Sequence, residues 1–241
     1  MTVEHVTVVK NLLAGNDLIA EHNRQRMDVG GVTALNLISS PGAGKTSLIT
    51  GTVAALRGRL RVGVVEGDVA GDIDTRRVLE GGAADAVQIN TGGSCHLEAG
   101  MVQQALEQLD LDTLDLLFIE NVGNLICPTA FALGERLKVC VASAAEGDDK
   151  PVKYPEIFVR ADVVVVNKID LAPLVDFDGE RFRSSLRALN SACPIFELSC
   201  RTGEGVDAWT AWLVQQAGAD RVALQHEGPQ PTGMAGKGGA R

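Results

Sequence analysis

Residues 39–47, SSPGAGKTS, have the composition of a phosphate-binding loop. They follow an apolar run typical of a strand and precede a helical pattern, a setting in which backbone N–H groups and a helix N-terminus face an anion. Lys45 is predicted to contact the β- and γ-phosphates, and Thr46 to bind Mg²⁺. Ser39 stands where the pattern G-x-x-x-x-G-K-[ST] has glycine, and a glycine-rich turn with a solvated lysine is the alternative. The predicted phosphate-binding residues are Gly42, Ala43, Gly44, Lys45, Thr46 and Ser47.

A second element, Asn167-Lys168-Ile169-Asp170, directly follows an apolar run. It resembles the N-K-x-D element of GTPases, whose aspartate accepts hydrogen bonds from guanine N1–H and the exocyclic amine, so GTP is favoured over ATP. Alone, the tetrapeptide is equally typical of a solvated loop. At the carboxyl end of a strand, downstream of a phosphate loop, it indicates a base-binding site. SCRTGEG stands where GTPases have an S-A-K loop, which adds Ser199, Cys200 and Arg201 to the predicted contacts.

Carboxylates near the ends of two other apolar runs are candidates for holding Mg²⁺ near the γ-phosphate. Asp68 lies just past the run 61–66, and Glu120 ends a run where many GTPases have D-x-x-G. Asp72 and Asp74 are candidates for positioning water, and side chains in solvent are the equal alternative. The predicted catalytic residues are Lys45, Asp68, Asp72, Asp74 and Glu120, and the predicted magnesium ligands are Thr46, Asp68 and Glu120.

The stretch TGGSCHLEAG, residues 91–100, sets two potential metal ligands side by side. If residues 97–109 form a helix, Cys95 and His96 lie at its positive end, where the pKa of a thiol is lowered and the thiolate that a metal needs is favoured. A buried structural Cys95 with a solvated His96 is the alternative. The spacing therefore predicts a transition-metal site without deciding which metal it binds.

A charged, proline-bounded loop, EGDDKPVKYP, follows another predicted strand. A loop at the carboxyl end of a parallel strand lies on the ligand-binding edge of the sheet. Lys150 and Lys153 are therefore candidates for contacting nucleotide, including the nucleotide of a partner subunit. A solvated loop is the alternative for each lysine.

The composition of the chain excludes several classes of protein. The formal net charge is −9, the wrong sign for binding nucleic acid or an anionic membrane, and no apolar run approaches the roughly 18 residues of a membrane span. The first residues lack the pattern of a secretory signal, so a cytoplasmic protein is expected. The five cysteines have no C-x-x-C spacing, which argues against a disulfide framework.

Apolar, β-rich runs alternate with helical patterns, as in βαβ units. The predicted fold class is α/β, a mostly parallel sheet flanked by helices as in P-loop NTPases. Residues 1–30 are predicted to be an N-terminal helical segment, 31–224 a GTPase domain and 225–241 a disordered tail. The predicted strands are 32–39, 61–66, 86–90, 114–120, 137–143, 162–167 and 194–199, and helical spacing occurs in 97–109, 181–190 and 206–216.

Six segments in this order resemble the HypB family of hydrogenase nickel-incorporation GTPases: SSPGAGKTSL, EGDVAGDIDTRR, NTGGSCHLEA, IENVGNLICP, EGDDKPVKYP and NKIDL. The resemblance implies a SIMIBI-class P-loop GTPase that forms a homodimer across its nucleotide face. It also implies that Cys95, His96 and Cys127 bind nickel, or zinc at the same site. The amino-terminal C-x-x-C-G-C site and the histidine-rich tract of some members do not occur in this sequence.

The favoured function is that of a GTP-hydrolysing nickel metallochaperone for [NiFe] hydrogenase, with GTP/GDP, Mg²⁺ and Ni²⁺ as its small ligands. Its expected partners are hydrogenase maturation proteins and the hydrogenase large-subunit precursor, with no nucleic acid and no membrane. The alternatives are a metal-binding module that nucleotide merely stabilises, a urease-type accessory GTPase, which would be expected to show Cys-Pro-His, and a metabolic P-loop kinase, which the N-K-x-D element disfavours.

Overall fold

The computed structural model describes residues 8–68, 71 and 73–226. The candidate water-positioning residue Asp72 lies outside these described residues, as does the predicted tail from residue 227 onward. The division into a helical segment, a GTPase domain and a tail therefore stays a prediction.

Seven parallel strands form one sheet in the order β3-β2-β4-β1-β5-β6-β7, which confirms the predicted α/β class. Every predicted apolar run overlaps one of these strands, although β2 continues two residues past the predicted run 61–66 and β3 begins one residue before the run 86–90. The strands β1, β4 and β6 are buried along their whole length, because helices cover both faces of the sheet. The strands are β1 Thr33–Ser39, β2 Val62–Asp68, β3 Asp85–Asn90, β4 Leu116–Glu120, β5 Leu137–Ser143, β6 Val163–Asn167 and β7 Ile195–Glu197.

The helices cover the sheet in two layers. Leu35 and Leu37 of β1 point into the layer that contains α2, α3 and α8, whereas Ala34 and Ile38 point to the layer of α1, α4, α6 and α7. The helices are α1 Val8–Val29, α2 Lys45–Leu56, α3 Ile73–Gly81, α4 Ala99–Leu106, α5 Lys150–Lys153, α6 Pro155–Arg160, α7 Gly179–Leu189 and α8 Val206–His226, with 3₁₀ turns at Leu111–Thr113, Cys127–Ala130, Ala144–Glu146 and Ile169–Leu174.

Two asparagines attach α1 to the body of the protein. Asn23 donates from Nδ2 to the carbonyl oxygens of Ala99 (2.9 Å) and Leu133 (3.0 Å) and is completely buried. Two turns earlier, Asn16 accepts from the backbone N–H of Ala99 at 2.8 Å. The helix is thereby fixed to the start of α4 and to the segment that follows the Cys127 turn. None of the helices formed by the described residues is long and apolar enough to cross a membrane.

Candidate functional site

The loop between β1 and α2 has the backbone that phosphate binding requires. The strand ends at Ser39 and the helix begins at Lys45, while Gly42 and Gly44 have φ angles of 79° and 99°. A side chain is disfavoured at such angles, and a Cβ on Gly44 would also lie 2.5 Å from Nδ2 of Asn167. The loop thus presents backbone N–H groups at the N-terminus of α2 and packs directly on the base-binding element.

Ser39, the departure from the glycine of the loop pattern, has a role of its own. It closes β1 in a strand conformation, outside the left-handed region where glycine would be favoured. Its Oγ accepts a hydrogen bond from Nζ of Lys45 at 3.0 Å and donates to the carbonyl oxygen of Ser40 at 2.6 Å. The serine therefore holds the buried ammonium group of Lys45 at the position from which it would reach a phosphate.

A carboxylate from β4 completes this end of the site. Thr46 donates from Oγ1 to Oε1 of Glu120 at 3.0 Å, and Nζ of Lys45 lies 3.8 Å from the same oxygen. The other oxygen of Glu120, Oε2, is buried without a hydrogen-bond partner. A hydroxyl beside a carboxylate with an unused oxygen is the donor set that Mg²⁺ prefers, so these two residues fit a magnesium site.

Sequence reasoning missed Glu66, a second buried carboxyl group beside Glu120. The two residues are register partners on β2 and β4. Burial, followed by the charge and hydrogen bond of Glu120, raises the pKa of Glu66 to about 10, and burial also raises the pKa of Glu120. The available signal was an acid inside an apolar run, VGVVEGD, but only the strand order brings it to the phosphate site.

The other predicted acids lie further out. Asp68 ends β2 and is exposed, and Asp74 lies in the first turn of α3, where it pairs with Arg77 at 3.0 Å. The charge of Asp74 contributes to the raised pKa values of Glu66 and Glu120, which places it at the edge of the same site. Whether Asp68 or Asp74 acts on Mg²⁺ or water stays a prediction.

The predicted base-reading residues surround a cavity of about 300 Å³, whose walls include Ser47, Asp170, Cys200 and Arg201. Asn167 donates to the carbonyl oxygen of Ala43 at 3.0 Å and accepts from the N–H of Cys200 at 3.2 Å. A single buried amide thereby joins the phosphate loop to the loop after β7.

Two further contacts fix the sides of this cavity. Lys168 has a left-handed φ of 60°, and its Nζ donates to the carbonyl oxygen of Gly42 at 2.6 Å. Asp170 accepts from the hydroxyl of Ser199 at 2.6 Å. The hydroxyl also accepts from the backbone N–H groups of Arg201 and Thr202, so it holds the loop against the aspartate. The N-K-x-D aspartate is therefore oriented towards the space that a base would occupy.

The two candidate lysines of the charged loop make different contacts. Nζ of Lys150 lies 3.4 Å from Oγ of Ser40 in the phosphate loop. Lys153 instead forms an exposed ion pair with Asp149 at 2.5 Å, which lowers the pKa of that aspartate. Within one subunit, Lys150 reaches the phosphate loop and Lys153 does not.

Cys95, His96 and Cys127 form one cluster, with ligand atoms within 4.8 Å of one another. Sγ of Cys95 lies 3.6 Å from Nδ1 of His96, whose ring packs on Phe131 with ring centroids 4.1 Å apart. Cys95 is exposed and the other two residues are half-buried, so the cluster opens to the surface. Three ligands are one fewer than a closed tetrahedral site contains.

The local electrostatics of the cluster differ from the sequence-based expectation. The helix begins at Ala99, with Glu98 as its N-cap, so Cys95 lies in a loop and not in the first turn. The pKa of the Cys95 thiol is raised, first by its hydrogen bond with Cys127. The predicted lowering by a helix terminus was wrong because the effect falls off within one turn.

A phosphate loop after the first strand, a carboxylate beside its lysine and an N-K-x-D pocket together define the P-loop GTPase class. Residues 33–197 match the family "CobW/HypB/UreG, nucleotide-binding domain". The hydrogenase maturation factor HypB of Rhizobium leguminosarum bv. viciae is 49% identical over 221 residues, covering 91% of this chain and 73% of that protein. The chain belongs to the HypB family of hydrogenase maturation factors.

Two solved structures agree with this assignment. HypB from Helicobacter pylori in complex with nickel has a TM-score of 0.81 and 34% identity, covering 86% of this chain and 96% of its own. HypB from Archaeoglobus fulgidus has a TM-score of 0.80 and 40% identity, covering 85% of this chain and 100% of its own. The fold is therefore shared with these two proteins along about 85% of the chain.

Proposed function

We propose that this protein hydrolyses GTP and carries nickel for hydrogenase maturation, with its nucleotide state controlling how the metal is held. The observation that carries the proposal is the position of the Cys95-His96-Cys127 cluster. Its third ligand lies seven residues after Glu120, which contacts Thr46 of the phosphate loop. If the Glu120 end of the segment 120–127 moves with the γ-phosphate, the metal ligand Cys127 at its other end would move too.

Substrate binding would use groups that are already oriented. Lys45 and Lys150 would neutralise phosphate charge, and Asp170 would accept from the guanine edge. Thr46 and Glu120 would hold Mg²⁺, which when bound neutralises charge on the β- and γ-phosphate oxygens. Asp74, at the edge of the site, is a candidate for orienting the attacking water. Turnover is expected to be slow, because switch GTPases commonly await a partner that completes the charge clamp.

Nickel binding would displace the thiol protons of Cys95 and Cys127, because a metal binds cysteine as the thiolate. A second copy of the chain, meeting the first across the nucleotide face, would supply the missing ligands. The nickel complex of the H. pylori relative supports nickel as cargo, and zinc suits the same ligands. Hydrogenase maturation proteins and the hydrogenase precursor are the proposed partners.

The deciding experiment measures bound nickel per dimer, by competition with a chromogenic chelator, in the presence of a non-hydrolysable GTP analogue and of GDP. We expect one nickel site shared by the two subunits, with an affinity that differs between the two nucleotide states. The Cys95→Ala variant should lose this difference. Cys193→Ala is the matched control, because Cys193 is buried near the amino end of β7, away from both sites. Equal nickel affinity in both states would mean that nucleotide does not control the metal site. If the protein does not hydrolyse GTP, the alternative of a metal-binding module that nucleotide merely stabilises is favoured.

A further inference from the structure

The five residues from Glu120 to Asn124, here called the sensor segment, contact the phosphate loop at two points. At one end Glu120 accepts the hydroxyl of Thr46. Near the other end Gly123 packs so closely on Pro41 that an added Cβ would lie 3.0 Å from its Cα. The sensor segment is therefore packed against the phosphate loop at both contacts. A shift of the phosphate loop would displace the segment as well.

The same segment holds the loop that carries two metal ligands. Oδ1 of Asn121 accepts the backbone N–H of Leu97 at 3.0 Å, immediately after His96. It also accepts from the N–H of Val122 at 3.1 Å, so one oxygen ties the two loops together. Asn124 adds a longer contact, 3.5 Å from its Nδ2 to the carbonyl oxygen of Cys95. Asn121 is 1% exposed, so water does not compete for these bonds.

The amide of Asn121 continues into a buried polar chain. Its Nδ2 donates to Oδ1 of Asn36 on β1 at 3.1 Å, and Asn36 donates to Oε1 of Glu135 at 3.2 Å. Lys138 lies 3.6 Å from this carboxylate and donates to the carbonyl oxygen of Thr129, in the turn that begins at Cys127. The chain thereby reaches the segments of all three metal ligands.

We propose that Asn121 is a positioning residue that transmits the nucleotide state to the metal site by holding the backbone of Leu97. This inference rests on the proposed function. Because the Leu97 N–H and the Asn121 amide are buried, breaking their bond without replacement is costly, so the two loops move together or not at all. Such a shared element, with arrangements that both ligands bias, is the physical requirement for coupling between two sites.

The test compares nickel affinity in the GTP-analogue and GDP states of Asn121→Ala and wild type. Typical coupling between two sites is about 5–150-fold. We expect a wild-type ratio in that range and a ratio below about threefold in the variant. By reciprocity, nickel should also cease to change the affinity for the GTP analogue. The control is Asn190→Ala, which removes an amide that caps three backbone carbonyls around the end of α6, remote from both sites.

A second variant tests the same role without changing Asn121 itself, in case Asn121→Ala does not fold. Asn36→Ala leaves Asn121 in place but removes the acceptor that orients it, and we expect an intermediate ratio. Hydrogen exchange of the Leu97 amide gives an independent readout, since its protection should differ between nucleotide states in wild type and not in Asn121→Ala.

The outcomes separate the two levels of the argument. A wild-type ratio of one would overturn both the nucleotide control in the proposed function and the role of Asn121. A wild-type ratio that survives in both folded variants would overturn the role of Asn121 alone.

Discussion

Glu66 and Glu120 stand opposite each other on the neighbouring parallel strands β2 and β4, and both are almost completely buried. Burial raises the pKa of both residues, that of Glu66 to about 10, so the hydrogen-bonded pair retains a proton at neutral pH. Each carboxyl group also has one buried oxygen without a hydrogen-bond partner. Burying the pair with these two oxygens unpaired therefore costs stability.

Replacing Glu66 with glutamine should stabilise the magnesium-free protein at alkaline pH. The folded-state pKa of Glu66, about 10, is above its ordinary value of 4.5, so its protonated form stabilises the fold and that contribution is lost as the pH rises between these values. Glutamine donates a similar hydrogen bond without titrating. Urea unfolding at pH 8 should show Glu66→Gln about 1–3 kcal/mol more stable than wild type. Identical pH profiles for wild type and variant would count against this assignment, and the exposed Glu107→Gln should leave the profile unchanged.

Changing Asp170 to asparagine should move base preference from guanine to xanthine. The substitution replaces the carboxylate that would accept hydrogen bonds from guanine N1–H and the exocyclic amine. A site built around buried hydrogen bonds discriminates strongly against a ligand that cannot form one of them. Calorimetry should show GTP binding weakened on the order of a hundredfold or more, with xanthosine triphosphate bound in its place. Unchanged GTP affinity would contradict the base-pocket assignment. Asp176→Asn is the control, because Asp176 is exposed and its φ of 52° suits asparagine.

Truncating Lys45 to alanine should abolish GTP hydrolysis. Its side chain is 7% exposed, and its ammonium group lies between Ser39 and Glu120. Removing one preorganised group that stabilises transition-state charge typically lowers turnover by about 10²–10³-fold. Phosphate release is the measurement, and thermal unfolding checks that the variant remains folded. The exposed Arg59→Ala should turn over at the wild-type rate. A Lys45→Ala protein with normal turnover would refute the phosphate-loop assignment.

The thiol of Cys200 should report on occupancy of the base pocket. Burial raises its pKa to about 11, so at pH 8 only about one thiol in a thousand is ionised, and alkylation by iodoacetamide should accelerate roughly tenfold per pH unit up to about pH 11. GDP should protect Cys200, because the residue lines the cavity. Cys193 has a similarly raised pKa but precedes β7, so GDP should not protect it. Peptide mass spectrometry measures both, and equal protection would contradict the pocket.

The strands, the phosphate loop and the base-reading element were all predictable from the sequence. Each depends on local chemistry: apolar runs of strand length, glycines at turn positions, and polar residues directly after a strand. Only the resemblance to one family indicated Cys127 as a candidate metal ligand, because its surroundings in the sequence look like any junction between a strand and a loop. The start of α4 was misjudged, because Leu97 and Glu98 fit the apolar spacing of a helix that begins only at Ala99.

The tertiary structure alone decided which of these elements touch. Glu66 meets Glu120, and Asn121 meets Leu97 and Asn36, only because β2 and β1 flank β4 in the sheet. Likewise, Lys150 and not Lys153 reaches the phosphate loop because the short helix α5 directs one towards Ser40 and leaves the other beside Asp149. Parallel strands are joined by long crossovers, so their neighbours are set by burial of the whole sheet. A local pattern determines what a residue can bind, whereas the packing of distant segments determines which partner it has.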